Sequence, residues 1–178
     1  MKDWKEFFEV YPTGARADHP YKQVGKSVNG RPISRAQFRA VISDVERLLG
    51  LNRDDVVLDL CCGNGVITSE LAVRCRRVVG VDFSNVLMEQ ARRTNTRSNI
   101  EYVEMDVQEL SSKTLKHAES FDKILMYDAL AYFTDHEFGR ILRGIMSMCK
   151  PDCTILLGCV PDKARKWMFF TTLRQRID

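Results

Sequence analysis

Short apolar segments alternate with helical patterns along most of the chain. Five apolar segments predict strands, at 56–60, 77–81, 100–105, 121–126 and 154–160. Helices are predicted over 34–49 and 66–75, from Ser84, and after Thr134, with a short helical stretch after the third strand. Ser34 with Gln37, and Thr134 with Glu137, predict capping boxes. Strands that alternate with helices predict a doubly wound α/β fold, whose mostly parallel sheet is covered on both faces.

The chain of 178 residues predicts a single domain. Residues 1–33, rich in aromatics, form an N-terminal segment, and 34–178 form the α/β domain. The apolar runs are too short to span a membrane, and the charged N-terminus lacks the apolar core of a signal peptide. We therefore expect a cytoplasmic protein with reduced cysteines. The net charge of +3 and arginine groups without interleaved aromatics favour solvated surfaces over a nucleic-acid partner.

Acidic and glycine residues follow the first three strands. Doubly wound sheets bind ligands at the carboxyl ends of their strands. Gly63 and Gly65 let the backbone approach a ligand, beside the N-terminus of a predicted helix. Asp82, which ends the second strand, is placed to accept hydrogen bonds from the ribose hydroxyls. Asp106 is placed to accept a hydrogen bond from the exocyclic amine of adenine. Phe83 is placed to pack on the adenine. The pattern predicts a nucleoside site.

The glycine loop argues against a dinucleotide. A dinucleotide fingerprint carries a third glycine where this chain has Thr68, and the first glycine follows Asp59 by four residues. Instead "VVLDLCCGNG", "VVGVDFS" and "NIEYVEMDVQEL" resemble three successive motifs of class I S-adenosylmethionine-dependent methyltransferases. The resemblance runs from about residue 56 to 160, and it is nearest to uncharacterised bacterial members.

The resemblance implies S-adenosylmethionine as the cofactor and assigns its contacts. The loop from Asp59 to Gly65 would cradle the methionine portion of the cofactor. Asp82 would bind the ribose, and Asp106 with the Val107 amide would bind the adenine. The implied cofactor contacts are Asp59, Cys61, Gly63, Asn64, Gly65, Asp82, Phe83, Asp106, Val107 and Tyr127. Cys61 stands where the family usually has a glycine, so we expect it to be strand-like, without a positive φ.

The six cysteines are expected to be buried, small apolar residues. Cys61 and Cys62 are adjacent, so their side chains would point to opposite faces of a strand. No other cysteine or histidine has zinc-like spacing with them, and we predict no metal site. Cys149 and Cys153 are placed at a helix-to-strand turn.

Candidates for catalysis follow the fourth strand. His136, Asp128 and Tyr132 are candidates to act as a base or to line the acceptor pocket. "YDAL" stands where nucleic-acid-methylating members carry Asn/Asp-Pro-Pro-Tyr/Phe, and the acidic residues of magnesium-dependent members are not apparent. We therefore expect metal-independent transfer to a small-molecule acceptor, with 1–33 as a lid or acceptor wall.

The short C-terminus leaves alternatives open. Family members usually add two antiparallel strands after the fifth, and about seventeen residues follow Pro161 here. We expect one of three arrangements: the C-terminal segment docks as a helix on the sheet, the chain is a fragment, or it pairs with a second copy as a homodimer. A catalytically silent S-adenosylmethionine-binding module that acts with a partner chain is the main alternative function, and a nicotinamide-dependent oxidoreductase is a further one.

Overall fold

The computed structural model describes residues 4–13, 19–115 and 120–160. Helices and strands in these residues follow the order α1 (Trp4–Val10), α2 (Pro20–Gln23), β1 (Ser27–Val28), β2 (Arg31–Pro32), α3 (Arg35–Leu49), β3 (Val56–Leu60), α4 (Val66–Leu71), β4 (Arg77–Asp82), α5 (Asn85–Thr94), β5 (Ile100–Glu104), β6 (Phe121–Tyr127), α6 (Asp135–Met146) and β7 (Cys149–Gly158). Two 3₁₀ turns, Val107–Glu109 and Leu130–Tyr132, follow β5 and β6. None of these helices is both long and apolar enough to cross a membrane.

Five strands form one parallel sheet in the order β5-β4-β3-β6-β7. The chain moves outward from β3 through β4 to β5, and then returns to the other side of β3 with β6. The strand order therefore reverses between β3 and β6, and a ligand crevice is expected outside their carboxyl ends.

Apolar side chains leave the sheet on both faces. On one face, Leu58 and Ile124 pack in a buried cluster with Ile141 and Ile145 of α6. On the other face, Val57 packs in a second cluster with helices α3 and α4. Adjacent residues of one strand thus enter opposite clusters, as the period of two in a strand requires. The predicted doubly wound α/β fold is confirmed.

The predicted helix starts are also confirmed. Ser34 and Thr134 each accept a hydrogen bond from the backbone N–H three residues on, and the Gln37 and Glu137 side chains complete the two capping boxes. The Ser84 side chain caps α5 by accepting from the Leu87 N–H. These are local signals, so they are visible in sequence.

Two element boundaries differ from the prediction by more than two residues. Helix α4 ends at Leu71 because the chain turns back to start β4, where the Arg76 and Arg77 N–H groups donate to the Asp55 carbonyl. Strand β7 begins at Cys149 rather than 154. Its pairing with β6 shifts register between Phe121 and Lys123, and this bulge accommodates Pro151 within the strand.

A small hairpin in the N-terminal segment was not predicted. Strands β1 and β2 pair antiparallel, and the two residues between them, Asn29 and Gly30, have φ values of 50° and 74°. Positive φ at both positions is typical of a type I′ turn, for which Asn-Gly is the preferred sequence. That dipeptide was the available signal. The predicted C-terminal features, namely the missing strand pair and the tail from 161 to 178, lie outside the described residues.

Candidate functional site

The carboxyl ends of β3, β4, β5 and β6 border a cavity of about 460 Å³. Helix α1 and the α2–β1 segment close it from the N-terminal side. The structure brings most of the predicted site residues to its wall: Asp59, Cys61, Gly63, Asp82, Phe83, Asp106, Val107, Tyr127, Asp128 and Tyr132. Asn64, Gly65 and His136 are not among the lining residues.

Asp82 joins the end of β4 to the glycine loop. Its Oδ2 accepts from the Gly63 N–H and its Oδ1 from the Ser84 N–H, both at 2.9 Å. Burial raises the pKa of this carboxyl, while the backbone N–H groups of Ser84, Gly63 and Phe83 act in the opposite direction. Asp82 is therefore a buried acceptor at the cavity wall, fixed in position by the backbone on both sides.

Asp59 lies at the cavity wall near the end of β3. It is 2% exposed, and its Oδ2 accepts from the Thr68 hydroxyl at 2.6 Å. Burial raises the pKa of Asp59 to about 7, and the Thr68 hydrogen bond lowers it in part. Thr68 at the third-glycine position thus provides a hydrogen bond between α4 and β3, which explains why a polar residue suits this buried site.

Cys61 contradicts the prediction of a strand-like backbone. Its φ is 57°, and β3 ends one residue earlier. An L-residue in this conformation brings its Cβ close to its own carbonyl, which is why glycine is preferred there. Cys61 and Cys62 also do not point to opposite faces of a strand, because both follow β3.

Both loop glycines have the left-handed backbone that glycine favours. Gly63 has a φ of 56°, and a Cβ on it would lie 2.7 Å from Val24 Cγ1. Gly65 has a φ of 76° and is the N-cap of α4, and a Cβ there would overlap the Tyr102 hydroxyl. The loop therefore permits close packing from both sides.

Asn64 does not line the cavity, and its side chain instead binds the N-terminal segment. Its Nδ2 donates to the Pro20 carbonyl at 2.8 Å and to Gln23 Oε1 at 2.7 Å. Its own backbone carbonyl accepts from Asn95 Nδ2 at 2.8 Å. The fully buried Asn64 thus couples the glycine loop to α2.

Asp106 is engaged by α1. Its Oδ1 accepts from the Gln108 N–H at 2.9 Å, and its Oδ2 forms an ion pair with Lys5 Nζ at 2.6 Å. The same helix places the Trp4 and Phe8 rings 4.7 and 5.1 Å from the ring of Tyr132. Helix α1 therefore spans the cavity from the end of β5 to the turn after β6.

The three catalytic candidates differ in position. Asp128 and Tyr132 line the cavity, whereas His136 is exposed at the start of α6 and is not a lining residue. Burial raises the pKa of Tyr132 to about 12, so its hydroxyl stays protonated at neutral pH. Tyr132 can donate a hydrogen bond but is not a base, and Asp128, with a φ of 63°, is the carboxylate nearest the end of β6.

Sequence reasoning missed Lys5, Lys26 and Glu137, which also line the cavity. Lys26 Nζ lies 3.4 Å from Asp128 Oδ2 and 4.9 Å from the centroid of the Tyr127 ring. Its partner is 102 residues away, so no local pattern signals the contact. Glu137 was recognised only as a capping residue.

The cysteines are only partly as predicted. Cys62 and Cys75 are buried, Cys61, Cys149 and Cys153 are half-buried, and Cys159 is exposed. Cys149 and Cys153 lie in strand β7 rather than at a turn before it, because β7 starts early. Within the part of the chain that the structure describes, no three His, Cys, Asp or Glu residues are grouped so as to hold a metal ion.

The cavity fits an adenosyl group bearing an amino-acid chain. Glycine-loop backbone, the buried carboxylate that ends β4 and a carboxylate after β5 face one space, which Phe83 and Val107 also line. A family model described as "Methyltransferase domain" matches residues 57–152. The chain therefore belongs to the class I methyltransferase family, whose cofactor is S-adenosylmethionine.

Known proteins resemble parts of the chain. An uncharacterized methyltransferase of Schizosaccharomyces pombe is 30% identical over 120 residues, covering 65% of this chain and 44% of that protein. The 23S rRNA (uracil(1939)-C(5))-methyltransferase RlmD of Salmonella typhi is 30% identical over 142 residues, covering 78% of this chain and 30% of that protein. The chain thus spans less than half the length of either relative.

A solved structure shows the same fold. The phosphoethanolamine N-methyltransferase 1 of Haemonchus contortus, in complex with phosphoethanolamine and S-adenosylhomocysteine, superposes with a TM-score of 0.70 at 22% identity. The match covers 86% of this chain and 31% of that one.

Proposed function

We propose that this protein transfers a methyl group from S-adenosylmethionine to a small-molecule acceptor without a metal ion. The observation that carries the proposal is the meeting of three strand-end carboxylates, Asp59, Asp82 and Asp106, with the Gly63 backbone around one cavity. Its volume of about 460 Å³ is in the range of small-molecule sites.

Different residues of the wall bind different parts of the cofactor. Asp82 accepts from the ribose hydroxyls, and Asp106 accepts from the adenine amine, with Phe83 and the Val107 amide beside the ring. The loop from Asp59 to Gly63 holds the methionine portion. Because Asp82 is already fixed by two backbone N–H groups, it needs little reorganisation when a ribose binds.

Transfer requires alignment more than acid–base chemistry. The bound cofactor supplies a methyl group that its sulfonium has already activated for in-line attack. Helix α1, with Trp4 and Phe8 against Tyr132, excludes water over the site. Tyr132 donates a hydrogen bond to the acceptor, and Asp128 takes the proton of a hydroxyl or ammonium acceptor.

Two arginine groups lie away from the cavity, which supports a small acceptor over RNA. Arg76 and Arg77 lie at the start of β4, and Arg92 and Arg93 lie in the last turn of α5, so both groups are at the amino ends of the strands. The cavity is at the opposite, carboxyl ends. An RNA acceptor would need an array of basic residues for its phosphates beside the cavity, whose described wall carries Lys5 and Lys26, each paired with a carboxylate.

A methyl-transfer assay tests the proposal. Release of S-adenosylhomocysteine is measured with panels of small amines, hydroxyl compounds and carboxylates, and with total RNA, each with and without EDTA. We expect turnover with a small acceptor. EDTA should leave the turnover rate unchanged, and Asp128→Asn should lower it at least tenfold. Transfer to RNA alone, or loss of turnover with EDTA, contradicts it.

The second candidate is a silent cofactor-binding module. The ion pair of Lys26 with Asp128, which engages the carboxylate proposed as the base, favours it. For a silent module we expect binding of S-adenosylhomocysteine but no turnover with any acceptor. In sedimentation experiments, the fraction of dimer should increase with protein concentration. Turnover by the monomer would exclude it.

A further inference from the structure

Lys26 is a nearly buried ammonium in the cavity. It directly precedes strand β1, and its side chain is 9% exposed. Nζ is 3.4 Å from Asp128 Oδ2 and 4.9 Å from the centre of the Tyr127 ring. The N-terminal segment thus delivers a positive charge to the end of β6.

The Lys26 ammonium makes fewer and longer hydrogen bonds than a nearly buried ammonium usually does. Lysine carries three N–H donors, and buried ammonium groups are costly unless they are paired and fully hydrogen-bonded. The described residues give Lys26 Nζ one hydrogen bond, and its 3.4 Å length exceeds the usual 2.7–3.2 Å. The Tyr127 ring adds a cation–π contact. The ammonium therefore retains capacity for another anionic partner.

The charges of the cavity indicate which ligand group would use that capacity. Among the described residues of the wall, Lys5 and Lys26 are the cations, and neither arginine nor histidine is present. Lys5 is paired at 2.6 Å with Asp106, on the proposed adenine side. Lys26 instead lies near the glycine loop, where its charge opposes the burial that raises the pKa of Asp59.

We infer that Lys26 binds a ligand carboxylate in this cavity. The inference rests on the proposed function. Two ligands can supply that group: the amino-acid end of the cofactor, or an acidic acceptor. In either case the carboxylate completes the hydrogen bonding of Nζ, and Lys26 selects for ligands that carry it.

Paired ligands and variants test the inference by calorimetry. S-adenosylhomocysteine carries the carboxylate, and 5′-methylthioadenosine shares its nucleoside but lacks the amino-acid end. Both are titrated into the wild type, Lys26→Met, Lys26→Arg and the control Lys22→Met, since Lys22 lies in the same segment but outside the cavity wall. With S-adenosylhomocysteine bound, malonate is then titrated as a probe for an acceptor carboxylate.

If the cofactor supplies the carboxylate, Lys26→Met weakens S-adenosylhomocysteine binding at least tenfold and changes 5′-methylthioadenosine binding less than twofold. Lys26→Arg and Lys22→Met retain the wild-type preference. If the acceptor supplies it, only malonate binding is lost in Lys26→Met. Equal losses for both nucleosides, or no loss for any ligand, overturn the inference. A wild type that binds neither nucleoside instead overturns the proposed function.

Discussion

At residue 61, a cysteine occupies a backbone conformation that favours glycine. Cys61 has a φ of 57°, and an L-residue in this region costs about 1–2 kcal/mol. At positions within regular helices and strands, a protein with glycine is usually less stable than the same protein with alanine, by about 0.5–1 kcal/mol. We expect that order to reverse here, with Cys61→Gly more stable to urea than Cys61→Ala by about 1 kcal/mol. The usual order, with alanine the more stable, would show that the backbone is not left-handed.

Asp59 makes the stability of the ligand-free protein depend on pH. Its pKa is raised by burial to about 7 from an ordinary 3.8, so the folded state binds the proton more tightly. Its contribution to the free energy of unfolding is therefore present below pH 4 and is lost as pH rises to 7, by at most about 1.4 kcal/mol per pH unit.

Asp59→Asn removes this titration while keeping an acceptor for Thr68. We expect the variant to lose less stability than the wild type between pH 5 and pH 8, as measured by urea unfolding. Asp152→Asn, at an exposed position, serves as the control and keeps the wild-type slope. Parallel slopes for Asp59→Asn and the wild type would contradict the assignment.

At the scale of elements, helix α6 packs closely through one glycine. A Cβ on Gly144 would overlap the Leu110 carbonyl oxygen, whereas a Cβ on Gly139 would find only the flexible end of Arg143, at 3.9 Å. We expect Gly144→Ala to destabilise the protein by about 1–3 kcal/mol. Gly139→Ala, in the same helix, should stabilise it by up to about 1 kcal/mol. Similar thermal shifts for the two variants would contradict this packing.

In the proposed site, helix α1 competes with the adenine for Asp106. The Lys5–Asp106 ion pair must loosen when Asp106 accepts from the adenine amine, and an ion pair this exposed contributes about 0.2–1 kcal/mol. Lys5→Met should therefore bind S-adenosylhomocysteine up to about fivefold more tightly at low salt, with a smaller gain at high salt. The exposed Lys113→Met is the control. Weaker binding by Lys5→Met would show that Lys5 supports the bound state.

At the scale of the whole molecule, local signals made the fold predictable. Capping residues Ser34, Ser84 and Thr134, and the period of the apolar residues, depend on near neighbours in sequence. The strand-end acids Asp82 and Asp106 were predictable because parallel strands end at one edge of the sheet. The bulge in β7 was not, since it is set by pairing with β6.

The N-terminal wall of the site was outside the reach of the sequence pattern. Asn64 was expected beside the cofactor, but its side chain binds Pro20 and Gln23, more than forty residues earlier in the chain. Lys26 reaches Asp128 across an even longer separation. Such contacts depend on the packing of the whole chain, and they determine how residues 19–33 close the cavity.

The proposed nucleoside site depends above all on Asp82, the acid at the end of β4. S-adenosylhomocysteine is titrated calorimetrically into the wild type, Asp82→Ala and Asp82→Asn, after circular dichroism has shown that each is folded. We predict micromolar binding by the wild type, near-complete loss in Asp82→Ala and weakened binding in Asp82→Asn, which keeps one acceptor oxygen. Wild-type affinity in a folded Asp82→Ala, or no binding by the wild type, would contradict this prediction.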